Sequence, residues 1–317
     1  MERRKFISLG ATAGLIAGSL PGLAVAGSES AVQKSKRYQK GASPWPVCLD
    51  TATIRPAASL KEKLRIAVSA GYDAFEPWDN ELEKFEAEGG NLKDLGKEIK
   101  DKGLFVPSVI GLWNALPPTK ELWDASLKDT RNRMRMASAI GAEHIQTIPN
   151  TVGANFNQKW VADRYRDIIE IGMNDYKIQP ALVFVKYFPV KTMGQAVGIA
   201  MDANHPKAMI IPDVYHMYIS EGGFEGIKFL TRDMIAIFQF NDAPASPALA
   251  QLGDAHRVYP GDGILPLTKI FQDLKATGYK GAISLEMYNP VYWKENLEEV
   301  AKTGLRKTLE VLRKAGV

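Results

Sequence analysis

One phrase recurs along the chain: an amphipathic helical run, a glycine, and then a short β-rich run. The copies read RIAVSAGYDAFEPW, EIKDKGLFVPSVIG, MASAIGAEHIQTIP and DLKATGYKGAISLEMY, with Gly71, Gly103, Gly141 and Gly278 at the joints. A left-handed residue at a helix C-terminus costs little only for glycine, so each joint predicts a helix end followed by a strand. Repetition of that unit is the mark of an alternating β/α architecture.

Between the joints, strands are predicted at Val47–Leu49, Ala74–Glu76, Phe105–Ile110, His144–Ile148, Ala181–Val185, Met209–Ile211, Ile235–Phe240 and Ala282–Leu285. The first helix opens with Ser59 and Glu62 in capping-box spacing, and Leu60, Leu64, Ala67 and Val68 share its apolar face. The last begins near Asn296, with Val300, Ala301, Leu305, Leu309 and Leu312 on one stripe. Strand and helix patterns alternating over about 270 residues match one (β/α)₈ barrel in size. An open doubly wound sheet is the main alternative, but no G-x-G-x-x-G follows the first strand and no phosphate loop is found. The expected fold class is therefore α/β, a single TIM barrel.

The N-terminus, ERRKFISLGATAGLIAGSLPGLAVAG, combines paired arginines, an apolar Gly- and Ala-rich stretch and small residues at Ala24 and Ala26. It reads as a twin-arginine export signal over residues 1–26, which predicts a periplasmic protein with no stable membrane span after cleavage. Residues 27–43, small and polar with scattered lysines, read as a linker, and residues 44–317 as the barrel. A formal charge of +4, from 40 basic and 36 acidic residues, argues against a nucleic-acid partner. The lone Cys48 rules out an internal disulfide and a thiolate metal cluster. Homo-oligomerisation is left open.

In such barrels chemistry sits at the C-terminal ends of the strands. Those ends carry Glu76 and Trp78 (DAFEPW), Trp113 and Asn114 (SVIGLWN), Asp213 and His216 (IIPDVYHMY), Gln239, Asn241 and Asp242 (IFQFND), and Glu286 and Tyr288 (ISLEMYN). Asp213, Gln239 and Glu286 are oxygen donors suited to a divalent metal with open positions for substrate oxygens. Helix capping is the plain alternative for Asp213, but an acid framed as in AISLEMY is hard to explain as a cap. His216 is a ligand, a substrate contact or a structural histidine. Arg257 reaches an anionic oxygen or lies in a surface loop. Trp78, Trp113 and Tyr288 either stack on a sugar ring or plug the barrel mouth.

The segments DVYHMY, FQFNDAP, HRVYPGDGILPL and GYKGAISLEMYNPVYW together resemble the sugar phosphate isomerase/epimerase family, the xylose isomerase-like barrels. The resemblance implies a divalent metal (manganese, cobalt, magnesium or zinc) held by Asp213, Gln239 and Glu286. It also implies Glu286, His216 and Glu76 as catalytic groups, and Arg257 in the loop after the seventh strand toward a small carbohydrate substrate. One family position departs: relatives would read PALEF where this chain reads PALVF, so Val183 stands where a metal-binding glutamate is expected. Loss of that acid weakens the expected metal site and removes one of the two bases that work opposite faces of the substrate. The expected activity is isomerisation or epimerisation of a keto-sugar through an enediolate. The alternatives are a lyase or hydratase acting on 3-keto-glycosides, and a sugar-binding barrel without catalysis.

Overall fold

A computed structural model describes residues 37–150 and 156–317. The signal reading, and the linker reading up to residue 36, lie outside the described residues.

Eight strands run in parallel: β1 (Val47–Asp50), β2 (Ala74–Glu76), β3 (Ser108–Trp113), β4 (His144–Ile148), β5 (Gln179–Val183), β6 (Ile210–Ile211), β7 (Phe238–Phe240) and β8 (Ile283–Leu285). Their ladders run β2-β1-β8-β7 and β3-β4-β5-β6. Parallel bridges close both seams, Ala74 with Phe105 and Trp78 with Ile110 on one side, Ile210 with Ile235 and Asp213 with Gln239 on the other. The result is the expected single TIM barrel. Around it lie α1 (Leu60–Ala70), α2 (Asp79–Ala87), α3 (Leu92–Asp101), α4 (Lys120–Ala139), α5 (Gln158–Ile171), α6 (Met193–Asp202), α7 (Val214–Ile219), α8 (Leu267–Ala276) and α9 (Leu297–Ala315).

The helix boundaries follow from the capping chemistry. Ser59 accepts from the Glu62 amide at 3.2 Å to open α1, and Gly71 closes it at φ 89°. Gly103, Gly141 and Gly278 are left-handed as well, at φ 85°, 81° and 78°. In α1 the buried face carries Leu60, Leu64, Ile66 and Ala67, and Val68 is only partly buried. Asn296 caps α9 through the Glu298 and Glu299 amides, and Val300, Ala301, Leu305 and Leu312 are buried as the stripe requires.

Strand alternation sorts the core into two layers. Cys48, Ala74, Ile110, Ile148, Ala181, Val183 and Ile211 fill the barrel interior, whereas Phe75, Leu182, Phe184, Phe238, Phe240 and Leu285 face the helices. Burying each large apolar side chain contributes about 1.5–3 kcal/mol.

β1, β6 and β8 differ from expectation by one residue at one end, and three strands differ by more. β3 starts at Ser108 because Pro107 has no N–H for the ladder, and it continues to Trp113 through an irregularity between Ile110 and Leu112. The residue between them is Gly111, where a Cβ would stand 2.6 Å from the Asp79 Cβ. β5 runs from Gln179 to Val183, and β7 shortens to Phe238–Phe240. At the opposite end of the barrel, Gln39 Nε2 donates to Asp73 Oδ2 at 2.8 Å, and Tyr38 pairs with Ser43. Residues 37–43, read as linker, therefore pack against the barrel.

Candidate active site

The C-terminal strand ends open into a cavity of about 190 Å³ whose two walls differ in chemistry. One wall carries Asp213, His216, Gln239, Asp254, Arg257, Glu286 and Tyr288, with Tyr187 against His216; the other carries Trp78, Ile110, Trp113, Ile148, Val183, Val185 and Phe188, and Gln146 also lines the cavity. The tryptophans stack at 6.0 Å between ring centroids, and Trp78 meets the Tyr288 ring edge-on at 5.8 Å.

At the centre of the polar wall lies Arg257, 1% exposed, delivered by the loop after β7. Its Nη1 donates to Asp213 Oδ2 at 3.1 Å and Glu286 Oε2 at 3.0 Å. Nη2 donates to Asp254 Oδ1 at 2.9 Å, Asp213 Oδ2 at 3.1 Å and His216 Nε2 at 3.3 Å, while Nε donates to Asp254 Oδ1 at 3.2 Å. A guanidinium has five N–H groups in a planar fork, and here that fork is engaged with protein on every nitrogen.

Asp213 has two tasks. Its Oδ1 caps α7 through the His216 amide at 3.0 Å, as the helix-cap alternative would have it, and its Oδ2 takes the guanidinium. Burial raises its pKa, but Arg257 and the amide more than offset this and hold it below the ordinary carboxylate value. Glu286 follows the opposite course. Burial pushes its pKa well up, Arg257 pulls it back, and the neighbouring Asp50 and Asp213 charges push it up again. The Tyr288 hydroxyl donates to Glu286 Oε1 at 2.9 Å. One positive charge thus serves the two strand-end acids unequally while also pairing with Asp254, and Glu286 is the one poised to carry a proton. Burial lowers the His216 pKa, so its ring is neutral at neutral pH, and its buried Nδ1 has no hydrogen-bond partner.

Glu76, expected at the reacting carbon, instead lies beneath the cavity at 0% exposure and is not part of its lining. Its carboxylate accepts from Ser284 Oγ at 2.6 Å, Gln146 Nε2 at 3.0 Å and Gln239 Nε2 at 3.5 Å. A strand of this barrel points alternate residues inward at all depths, so an inward acid at a strand end can sit one layer below the mouth. Glu76 therefore acts as a positioning residue for the two glutamines. Burial pushes its pKa up to about 7, with Glu286 adding to the rise and the hydrogen bonds opposing it. Because the folded value lies above the ordinary 4.5, the native state takes up a proton between those values and loses stability as pH rises through them. The loss amounts to about 3 kcal/mol. Glu76→Gln should reduce the slope, to which Glu286 and Asp79 also contribute, since the Ser284 hydroxyl can turn to accept; urea midpoints of both proteins at about pH 5 and about pH 8 test this. An unchanged slope would show that Glu76 does not titrate.

The three expected metal ligands all line the cavity, but the two carboxylates among them are already committed to a cation. Asp213 and Glu286 are both bonded to Arg257, and the Gln239 amide nitrogen turns to Glu76. A divalent ion on those carboxylate oxygens would stand beside the guanidinium. At about 4 Å and an effective dielectric constant of about 20, that repulsion is about 8 kcal/mol. Among the described residues, no group of three or more His, Cys, Asp or Glu side chains is placed to hold a metal ion. As arranged, this donor set does not fit a divalent metal.

Val183 is 4% exposed on the apolar wall, and its side chain points into the cavity as the family position requires. Val183→Glu would set a carboxylate on the apolar wall with Ile148, Val185 and Phe188. The expected cost is about 1–3 kcal/mol in urea unfolding, shrinking at acid pH as the new group protonates.

Sequence reasoning missed Asp50, Gln146 and Asp254. Asp50 ends β1, the strand-end signal used for the others; its Oδ1 accepts from the Ala52 amide at 2.6 Å and Trp78 Nε1 at 3.2 Å. Asp254 stands three residues before Arg257, a spacing that brings the side chains together in a helical turn.

Comparison with known proteins agrees with this architecture. An inosose isomerase of Bacillus licheniformis is 24% identical over 193 residues, covering 59% of this chain and 69% of that protein. A 3-dehydroshikimate dehydratase of Pseudomonas putida is 24% identical over 262 residues, 81% of this chain and 40% of that one. A crystal structure of IolI protein with a bound zinc atom superposes with a TM-score of 0.77 at 22% identity, covering 85% of this chain and 99% of that one. The xylose isomerase-like TIM barrel model matches residues 64–315, and the chain belongs to that family.

Proposed function

We propose that this chain is an enzyme that enolises a keto-sugar or related polyol ketone, with all its acid–base groups on one face of the substrate. The two-walled cavity carries this reading. A sugar ring offers hydroxyls at its edge and C–H groups on its face, matching Asp213, His216, Arg257, Glu286 and Tyr288 on one side and Trp78, Trp113 and Val183 on the other. At about 190 Å³ the cavity suits one small ring.

Glu286 is the base. It removes the proton beside the carbonyl: the C–H pair becomes the C=C bond, and the carbonyl π pair moves onto oxygen. The Tyr288 hydroxyl holds the Glu286 carboxylate and stays protonated, because burial and Glu286 itself push its pKa well up. His216, neutral, accepts from Arg257 Nη2 and helps hold the guanidinium in place. Within the enediolate the neighbouring hydroxyl passes its proton to the former carbonyl oxygen and becomes the new carbonyl as Glu286 returns its proton, on the same face, to the former carbonyl carbon, which gives an isomerase. Epimerisation needs a donor on the opposite face, and among the described residues that wall is Ile110, Ile148, Val183 and Phe188. This site therefore supports isomerisation over epimerisation.

A second reading, elimination, is favoured by the side-by-side placement of Glu286 and the Tyr288 hydroxyl, a base and a proton donor on one face as loss of a neighbouring oxygen substituent requires. Keto-sugars and keto-glycosides incubated in deuterium oxide separate the two. Deuterium uptake with interconversion and no small product supports the isomerase; release of water or an alcohol supports the lyase. Protection from thermal unfolding without exchange would sink both and leave a sugar-binding barrel.

The paired arginines Arg3 and Arg4 support export to the periplasm, where glycosides are met more often than sugar phosphates. N-terminal sequencing of the exported protein should begin at Gly27; an intact Met1 would contradict export by cleavage.

A further inference from the structure

We infer that the Arg257 guanidinium takes the place of the divalent cation in this site, so that the chain binds no metal there and stabilises the enediolate with its own side chain. The inference rests on the enolisation reading for its chemical consequence, but its structural claim stands separately.

Four observations converge on it. Arg257 bridges Asp213 Oδ2 and Glu286 Oε2 at 3.1 and 3.0 Å, so the two strand-end acids meet on a cation already present in the chain. The third family acid is missing, and Val183 closes that side with hydrocarbon. This leaves two strand-end acids, Asp213 and Glu286, on the guanidinium, with Asp254 behind it. Gln239, the remaining donor, is a neutral amide whose nitrogen is held by Glu76, so it adds no negative charge to the set. Finally, the guanidinium is held from behind by Asp254 through both Nε and Nη2, at 3.2 and 2.9 Å, which fixes its plane between the acids.

During reaction the substrate proton goes to Glu286 and the negative charge appears on the former carbonyl oxygen. Protonation of Glu286 weakens its bond to Nη1 at the moment the substrate oxygen becomes anionic. The freed N–H can pass to that oxygen, and the charge the guanidinium balances moves from Glu286 to the enediolate. No oxidant, reductant or further ion enters the balance.

The test uses the full chain, with zinc, manganese and cobalt ions as probes. The purified protein should carry far less than one metal per chain, show no shift of unfolding temperature with chelator or added zinc, and exchange substrate deuterium equally with and without chelator. Arg257→Lys keeps the charge but not the planar fork. It should lower kcat for exchange at least tenfold, with a smaller change in KM, and still bind no metal. The double variant Val183→Glu/Arg257→Met restores the third acid and removes the guanidinium, and should take up one cobalt ion with visible absorption. One chelatable metal per unaltered chain, or exchange that stops with chelator and returns with zinc, would overturn the inference and leave the enolisation reading intact. A metal-free chain that exchanges no keto-sugar would overturn the enolisation reading and leave the place of Arg257 unaffected.

Discussion

Replacing Arg257 by methionine is expected to destabilise the protein by about 3–5 kcal/mol, the cost of leaving buried partners of a broken ion pair without a counter-charge. Asp213 and Glu286 are both nearly inaccessible, so water cannot take over the work of the guanidinium. Arg257 also stacks against the Tyr215 and Tyr288 rings at 4.8 and 5.1 Å, contacts that methionine only partly replaces. The loss should be largest above neutral pH and shrink in acid. Asp213 is held below its ordinary pKa in the intact protein, so its contribution to stability is present above that value and fades as pH falls through the depressed one. Urea titrations across pH measure this directly. A loss under about 1 kcal/mol at neutral pH would mean that the acids are not relying on Arg257.

Glu286→Gln is expected to lower turnover about 10²–10⁴-fold, the range for loss of a positioned general base, while the fold is kept or gains stability. Burial and the neighbouring acids push the Glu286 pKa well up in the native state. Such a group lowers stability as pH rises from its ordinary value toward the raised one, and the amide has no such penalty. The glutamine oxygen can still accept from Arg257, and its amide nitrogen can donate to the Tyr288 oxygen once that hydroxyl turns, so geometry survives while the base is gone. Solvent deuterium exchange under single-turnover conditions, with urea unfolding alongside, separates the two effects. Turnover within a few-fold of the unaltered protein would remove Glu286 from the proton transfer.

The fold was legible because it depends on local chemistry. Gly71, Gly103, Gly141 and Gly278 each end a helix in the left-handed region, and Ser59 and Asn296 cap helices through their own neighbouring amides. Strand edges were less legible. Pro107 delays β3, while the length of β7 depends on how β8 runs beside it. The ring of polar strand ends was legible for the same reason as the strands: position on a β/α repeat tells which end of the barrel a residue reaches. Glu76 shows the limit, because strand alternation gives its inward direction but not its depth.

Sequence alone determined the barrel, the residues that surround its mouth and the hydrocarbon at Val183, since helix ends, strand alternation and chain order are set by neighbours a few residues apart. Only the tertiary structure decided which group each acid meets. Arg257 lies 44 residues from Asp213 and 29 from Glu286, and nothing in the local pattern distinguishes an arginine facing solvent from one closing a buried charge network. That choice is made by burial: once Asp213 and Glu286 are taken out of water on either side of β7, a cation is needed between them, and the loop after β7 supplies it.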